Sequence, residues 1–143
     1  MSGSIPPRDG SPEIAVEQVA QRSGDLANNW LVTWRIANRT NEALAIDSAW
    51  LPHGEFRGDR VELSPALTIA PGQSVEIQLE VRWYAGPGSL VENAFLIVTA
   101  WWKEERWRVL ARLTVRGTAD GMPHATTETM TVQRVGFSEQ HAP

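Results

Sequence analysis

The chain has 143 residues, of which 42% are hydrophobic, enough for one domain with a core of its own. Its net charge of −4 argues against general binding to nucleic acid or to an anionic membrane surface. It contains no cysteine, which excludes disulfides, thiolate metal sites and a cysteine nucleophile, and its seven tryptophans are the one unusual feature of the composition.

Residues 1–12, MSGSIPPRDGSP, combine Gly, Pro and Ser and are expected to be disordered. They lack the basic and apolar regions of a secretory signal, so cytoplasmic residence is the default expectation. No apolar run approaches the roughly 20 residues that span a bilayer. A single domain is expected over residues 13–137, followed by a disordered tail at 138–143.

The pattern along that domain is one of strands and turns. Glu13 to Gln21 reads as a first strand, and Arg22-Ser23-Gly24-Asp25 as a turn. Asn29 to Ala37 places Trp30, Val32, Trp34 and Ile36 on one face, because side chains of a strand alternate between its two sides. Asn38-Arg39-Thr40-Asn41-Glu42 closes that strand. In the next, Leu44, Ile46 and Ser48 alternate with Ala45, Asp47 and Ala49. Leu51 to Arg60, with two glycines and a proline, reads as a long polar connection. Val61 to Ile69 is a weaker strand, and Ser64-Pro65 suggests an edge position because proline cannot donate to a ladder. Ala70-Pro71-Gly72-Gln73 has proline and glycine in type II order. Val75, Ile77, Leu79, Val81 and Trp83 then alternate with Glu76, Gln78, Glu80 and Arg82, the cleanest strand pattern in the chain. Thr126 to Val135 is expected to be the last strand.

The stretch around which the rest is organised is Ala94 to Arg116, read as two strands folded back at Lys103-Glu104-Glu105-Arg106. From Trp107 the apolar residues Val109, Ala111, Leu113 and Val115 recur at every second position, and Arg106, Arg108, Arg112 and Arg116 fall between them. Phe95 to Trp102 is apolar on both sides, as a central strand would be. A turn symmetric about Glu104-Glu105 predicts Trp102 opposite Trp107 and Val98 opposite Ala111 on the core face. On the other face it predicts Trp101 opposite Arg108, Ile97 opposite Arg112 and Phe95 opposite Thr114. Seven or eight strands at hairpin spacing predict an all-β protein, an antiparallel immunoglobulin-like β-sandwich.

The stretch Leu67 to Ile77, with its Pro71-Gly72 turn before an alternating strand, and the strand from Trp30 that ends in Asn-Arg-Thr-Asn-Glu carry a resemblance. Over about residues 13 to 116 the chain resembles bacterial immunoglobulin-like and fibronectin type III-like domains. It departs from antibody domains in having no cysteine pair. The resemblance implies adhesion, scaffolding or accessory binding more often than catalysis, and it supplies no site residues.

The candidate binding surface is the outer face of the hairpin: Phe95, Ile97, Trp101, Arg108, Leu110 and Arg112. Arginine beside tryptophan is a favourable cation–π arrangement, and both are enriched at protein–protein hot spots. The competing reading is that the Thr126 to Phe137 segment covers this face, or that its arginines solvate it. A second candidate is the Leu51 to Arg60 connection, where Trp50, His53, Arg57 and Asp59 would cluster at one end of the domain. Its Arg57-Gly58-Asp59 triplet matches an integrin-binding tripeptide of a kind that arises often by chance. A carbohydrate platform is a third reading. Trp30, Trp34, Trp83, Trp102 and Trp107 fall on predicted core faces, which leaves Trp50 and Trp101 for it. His53, His124 and His141 lie in separate segments without metal-ligand spacing, so no metal, cofactor or catalytic residue is expected, and Asp47, Ser48 and His53 are close in sequence only. The chain therefore reads as a non-catalytic module that binds a protein partner or a second copy of itself. The alternatives are a carbohydrate-binding accessory module and a structural spacer without ligand.

Overall fold

A computed structural model describes residues 10–135. The stretches expected to be disordered, 1–12 and 138–143, lie outside the described residues apart from Gly10, Ser11 and Pro12, as does Phe137 at the expected domain end. The strands are β1 (Ile14–Ser23), β2 (Asn29–Asn38), β3 (Leu44–Pro52), β4 (Phe56–Ile69), β5 (Ser74–Trp83), β6 (Leu90–Trp102), β7 (Glu105–Gly117) and β8 (Pro123–Arg134). All pairings are antiparallel, in one eight-stranded sheet of order β1-β2-β5-β4-β3-β6-β7-β8.

The sheet curls until its ends meet, giving a nearly closed, barrel-like form. No backbone ladder joins β1 to β8. Side chains bridge them instead: Gln18 Nε2 donates to Pro123 O at 3.0 Å, Ala125 N donates to Gln18 Oε1 at 2.7 Å, and Thr127 Oγ1 donates to Val16 O at 2.8 Å. The Gln18 carboxamide thus offers one donor and one acceptor, as a peptide group would. The narrowest backbone link lies at the opposite side, where β4 meets β5 only through Phe56↔Trp83 and Arg57↔Arg82.

Alternation fixes the interior. Val32, Trp34 and Ile36 of β2, Leu79, Val81 and Trp83 of β5, and Val109, Ala111, Leu113 and Val115 of β7 are buried, with their neighbours in sequence turned outward. Phe56 stands edge-on to Trp34 (6.2 Å between ring centres) and to Trp83 (5.9 Å), and a second aromatic pair, Trp102 with Trp107, meets at 6.2 Å.

Two turn stretches lock together beside this core. Asn38 is buried, and its Nδ2 donates to Glu42 O at 2.8 Å and to Ile69 O at 2.9 Å, while its Oδ1 accepts from Thr40 N and Thr40 Oγ1. Its backbone exchanges bonds with the Pro71-Gly72 turn, Gly72 N to Asn38 O and Asn38 N to Gln73 O, both at 2.9 Å. Gly72 has φ 77°, the left-handed geometry that a type II turn requires of its third residue.

Two expectations are corrected. The first is the long connection at Leu51 to Arg60, which is not a loop: β3 continues to Pro52, and β4 starts at Phe56 after a short turn. Phe56 is fully buried, which the polar neighbourhood in sequence had masked. The second is the hairpin register. Lys103 and Glu104, at φ 52° and 65°, form a two-residue turn of the left-handed kind, without the Gly or Asn that usually marks one. The pairs are therefore Trp101↔Arg106, Ala100↔Trp107, Thr99↔Arg108, Ile97↔Leu110 and Phe95↔Arg112. Trp102 faces Glu105 and meets Trp107 diagonally, and Thr114 is not opposite Phe95. The displacement is an even number of residues, so both face assignments stand although every partner changed.

Candidate functional site

The outer face of the sheet around β6 is built in cross-strand rows. One runs Trp50↔Ile97↔Leu110↔Thr131, a second Ser48↔Thr99↔Arg108↔Gln133, and a third Ala45↔Trp101↔Arg106. Phe95↔Arg112↔Thr129 forms the row at the end away from the hairpin turn. Strand β8 lies beside β7 in the sheet and extends this face instead of crossing it. Since all eight strands belong to the sheet, no described strand is left to cover its outer side.

The hairpin residues singled out from sequence are thus brought together on one face. Trp101 is 45% exposed, whereas Phe95, Ile97, Arg108, Leu110 and Arg112 are half-buried. Of the residues expected in the Leu51 to Arg60 connection, the structure separates what the sequence grouped. Trp50 joins the hairpin face through Ile97, with the Arg60 guanidinium 4.4 Å from its ring centre. His53 caps its own turn by accepting from Glu55 N at 3.2 Å. Arg57 and Asp59 lie within β4 near the β5 seam, where Asp59 pairs with Arg82 at 3.1 Å and a cavity of about 110 Å³ opens between them and Glu80. Gly58 is explained by packing: a Cβ there would stand 2.8 Å from Glu80 O. The Arg57-Gly58-Asp59 triplet therefore sits inside a paired strand, not at a loop tip.

Sequence reasoning missed the group that organises the face. A β-bulge between Ile46 and Ser48 breaks the alternation of β3, so that Ser48 turns to the outer side opposite Thr99 and Asp47 is re-aimed toward β6. Asp47 accepts from the Thr99 hydroxyl, which also bonds the Ser48 hydroxyl, and from Trp101 Nε1 at 3.1 Å. Arg106 completes the group, 3.3 Å from Asp47 Oδ2, with its guanidinium 6.0 Å from the Trp101 ring centre. Trp101 is held at its indole nitrogen and flanked by a cation, so an exposed ring has a set orientation. The one signal in the sequence was Thr99, a lone hydroxyl within the apolar run Leu96 to Trp102.

The tryptophans divide as the alternation predicts. Trp34, Trp83, Trp102 and Trp107 are buried and Trp30 packs against the core in part, which leaves Trp50 and Trp101 on the outer face. Among the described residues no group of three or more His, Cys, Asp or Glu side chains could hold a metal ion, and no helix is long and apolar enough to cross a membrane. No protein-family model matches the chain, and no curated protein matches it.

Proposed function

We propose that the protein is a non-catalytic binding module whose working surface is the outer face of the β6–β7 hairpin and whose partner is a protein. The observation that carries this reading is the fixed, exposed Trp101, which shares with Ile97, Leu110 and Trp50 an outer face that no described strand covers. A tryptophan already ordered by Asp47 and Arg106 loses little conformational freedom on contact, and aromatic residues with arginine are what protein hot spots favour. Ile97 and Leu110 would lose water at the interface while Arg108 and Arg112 orient the partner. The finer fold reading is an immunoglobulin-like sandwich. It is supported by the two-pair link between β4 and β5, which divides the sheet into β1-β2-β5 and the remaining strands. The lock between Asn38 and the Pro71-Gly72 turn, in the two stretches that carry the resemblance, supports it as well.

The test is the double variant Trp101→Ala/Arg108→Ala. It should keep a melting temperature within a few degrees of wild type and lose both self-association, read by light scattering, and binding to any partner captured by the wild type and then titrated as a purified protein. Binding that survives the double variant would sink the proposal. The carbohydrate alternative draws on Trp50 and Trp101, and glycan binding abolished by either substitution would favour it.

A further inference from the structure

The charges on the hairpin face are unevenly satisfied. Near the turn, Asp47 neutralises Arg106, 3.3 Å away. At the far end Arg112 is held by neutral oxygens: its Nε donates to Thr129 Oγ1 at 3.2 Å and its Nη1 to Asn93 Oδ1 at 3.1 Å. Among the described residues no carboxylate forms an ion pair with it. Asn93 reaches it because β6 bulges between Val91 and Ala94 and Asn93 takes a left-handed φ of 62°. A guanidinium fixed in this way keeps its full charge and has already lost rotamer freedom, so little further ordering opposes capture of an anion.

The surroundings select the anion. Arg112 and Arg116 line a hollow of about 390 Å³ together with Glu92 and Glu128. The two acids offset the two guanidiniums in net charge, which disfavours a doubly charged phosphate more than a single carboxylate, and Arg112 would meet that carboxylate with its Nη2 end, because Nε and Nη1 are engaged by Thr129 and Asn93. Leu110 precedes Arg112 on the same face, and same-face neighbours of a strand stand about 6.6 Å apart. An apolar subsite at Ile97 and Leu110 and an anionic subsite at Arg112 therefore match residues i and i+2 of an extended peptide.

Resting on the binding function proposed above, we infer that the partner presents an extended acidic segment, with an apolar residue on Ile97 and Leu110 and an Asp or Glu carboxylate two positions away on Arg112.

The experiment is fluorescence anisotropy with the labelled peptide Leu-Thr-Glu-Thr-Leu-Thr-Glu and its counterpart carrying Lys for each Glu. Wild type should bind the acidic peptide and not the basic one. Arg112→Gln should weaken binding about tenfold, the loss of a charge-assisted pair. Asn93→Ala should weaken it less, because it frees the guanidinium without removing it, and Arg112→Glu should turn the preference toward the lysine peptide. That reversal is a gain a misfolded variant cannot produce. Equal binding of the two peptides, indifference to Arg112→Gln, or no binding of the acidic peptide by wild type would each overturn the inference. If a captured protein partner still depends on Trp101 in those cases, the wider reading of the face survives and only the acidic segment is lost.

Discussion

Trp101 and Trp102 are neighbours in one strand and live in different solvents. Trp102 is 4% exposed, lies edge-on to Trp107, and donates its indole N–H to Thr40 Oγ1 at 3.0 Å. Trp101 is 45% exposed and donates to Asp47 at 3.1 Å. Both polar handles are satisfied, so what separates the two rings is the apolar area each has lost to water. The inner ring is held by what surrounds it, the outer one by a single carboxylate that leaves the ring available. The same residue type thus serves cohesion on one side of the sheet and presentation on the other.

Substitutions can break this contrast, beginning with the largest effect. Trp102→Ala should cost about 3–5 kcal/mol in urea unfolding, because the cavity under Trp107 cannot fully collapse. Asp47→Ala should cost about 1–3 kcal/mol, since it strips the acceptor from Thr99, which is buried, and from Trp101 and Arg106. It should also broaden the fluorescence lifetime distribution of Trp101, compared with the same change made in a Trp101→Phe background. The Lys103→Asn/Glu104→Gly pair should stabilise by about 1 kcal/mol, because both positions have positive φ and the new residues adopt it with less strain. Trp101→Ala should shift stability by about 1 kcal/mol or less, the smallest effect of the set, in the same urea titration. A loss for Trp101→Ala as large as for Trp102→Ala would show that the outer ring is core and erase the distinction.

Much of the inner side was legible because burial obeys alternation. Trp34, Trp83, Trp107 and the valines and leucines between polar residues could be placed from spacing alone. What was not legible came from local breaks in the period. The bulge at Asp47 moved Ser48 from the core side to the outer side, and with it the group that orients Trp101. A left-handed Lys-Glu turn set a register that composition gave no reason to expect. Phe56 was hidden by the polar residues around it, although it sits between the two most deeply buried tryptophans. The face residues Phe95, Ile97, Leu110 and Arg112 were found because an even register error preserves sides. Trp50 was placed in the wrong group because its neighbours looked like a loop.

The meeting of β1 with β8 bears on the fate of the protein at high concentration. An eight-stranded sheet that stayed open would end in two rows of unanswered amides and carbonyls, each a template for a strand of another molecule. Gln18 and Thr127 answer those groups from within the chain, so aggregation by strand addition finds no ready starting point along the bridged stretch.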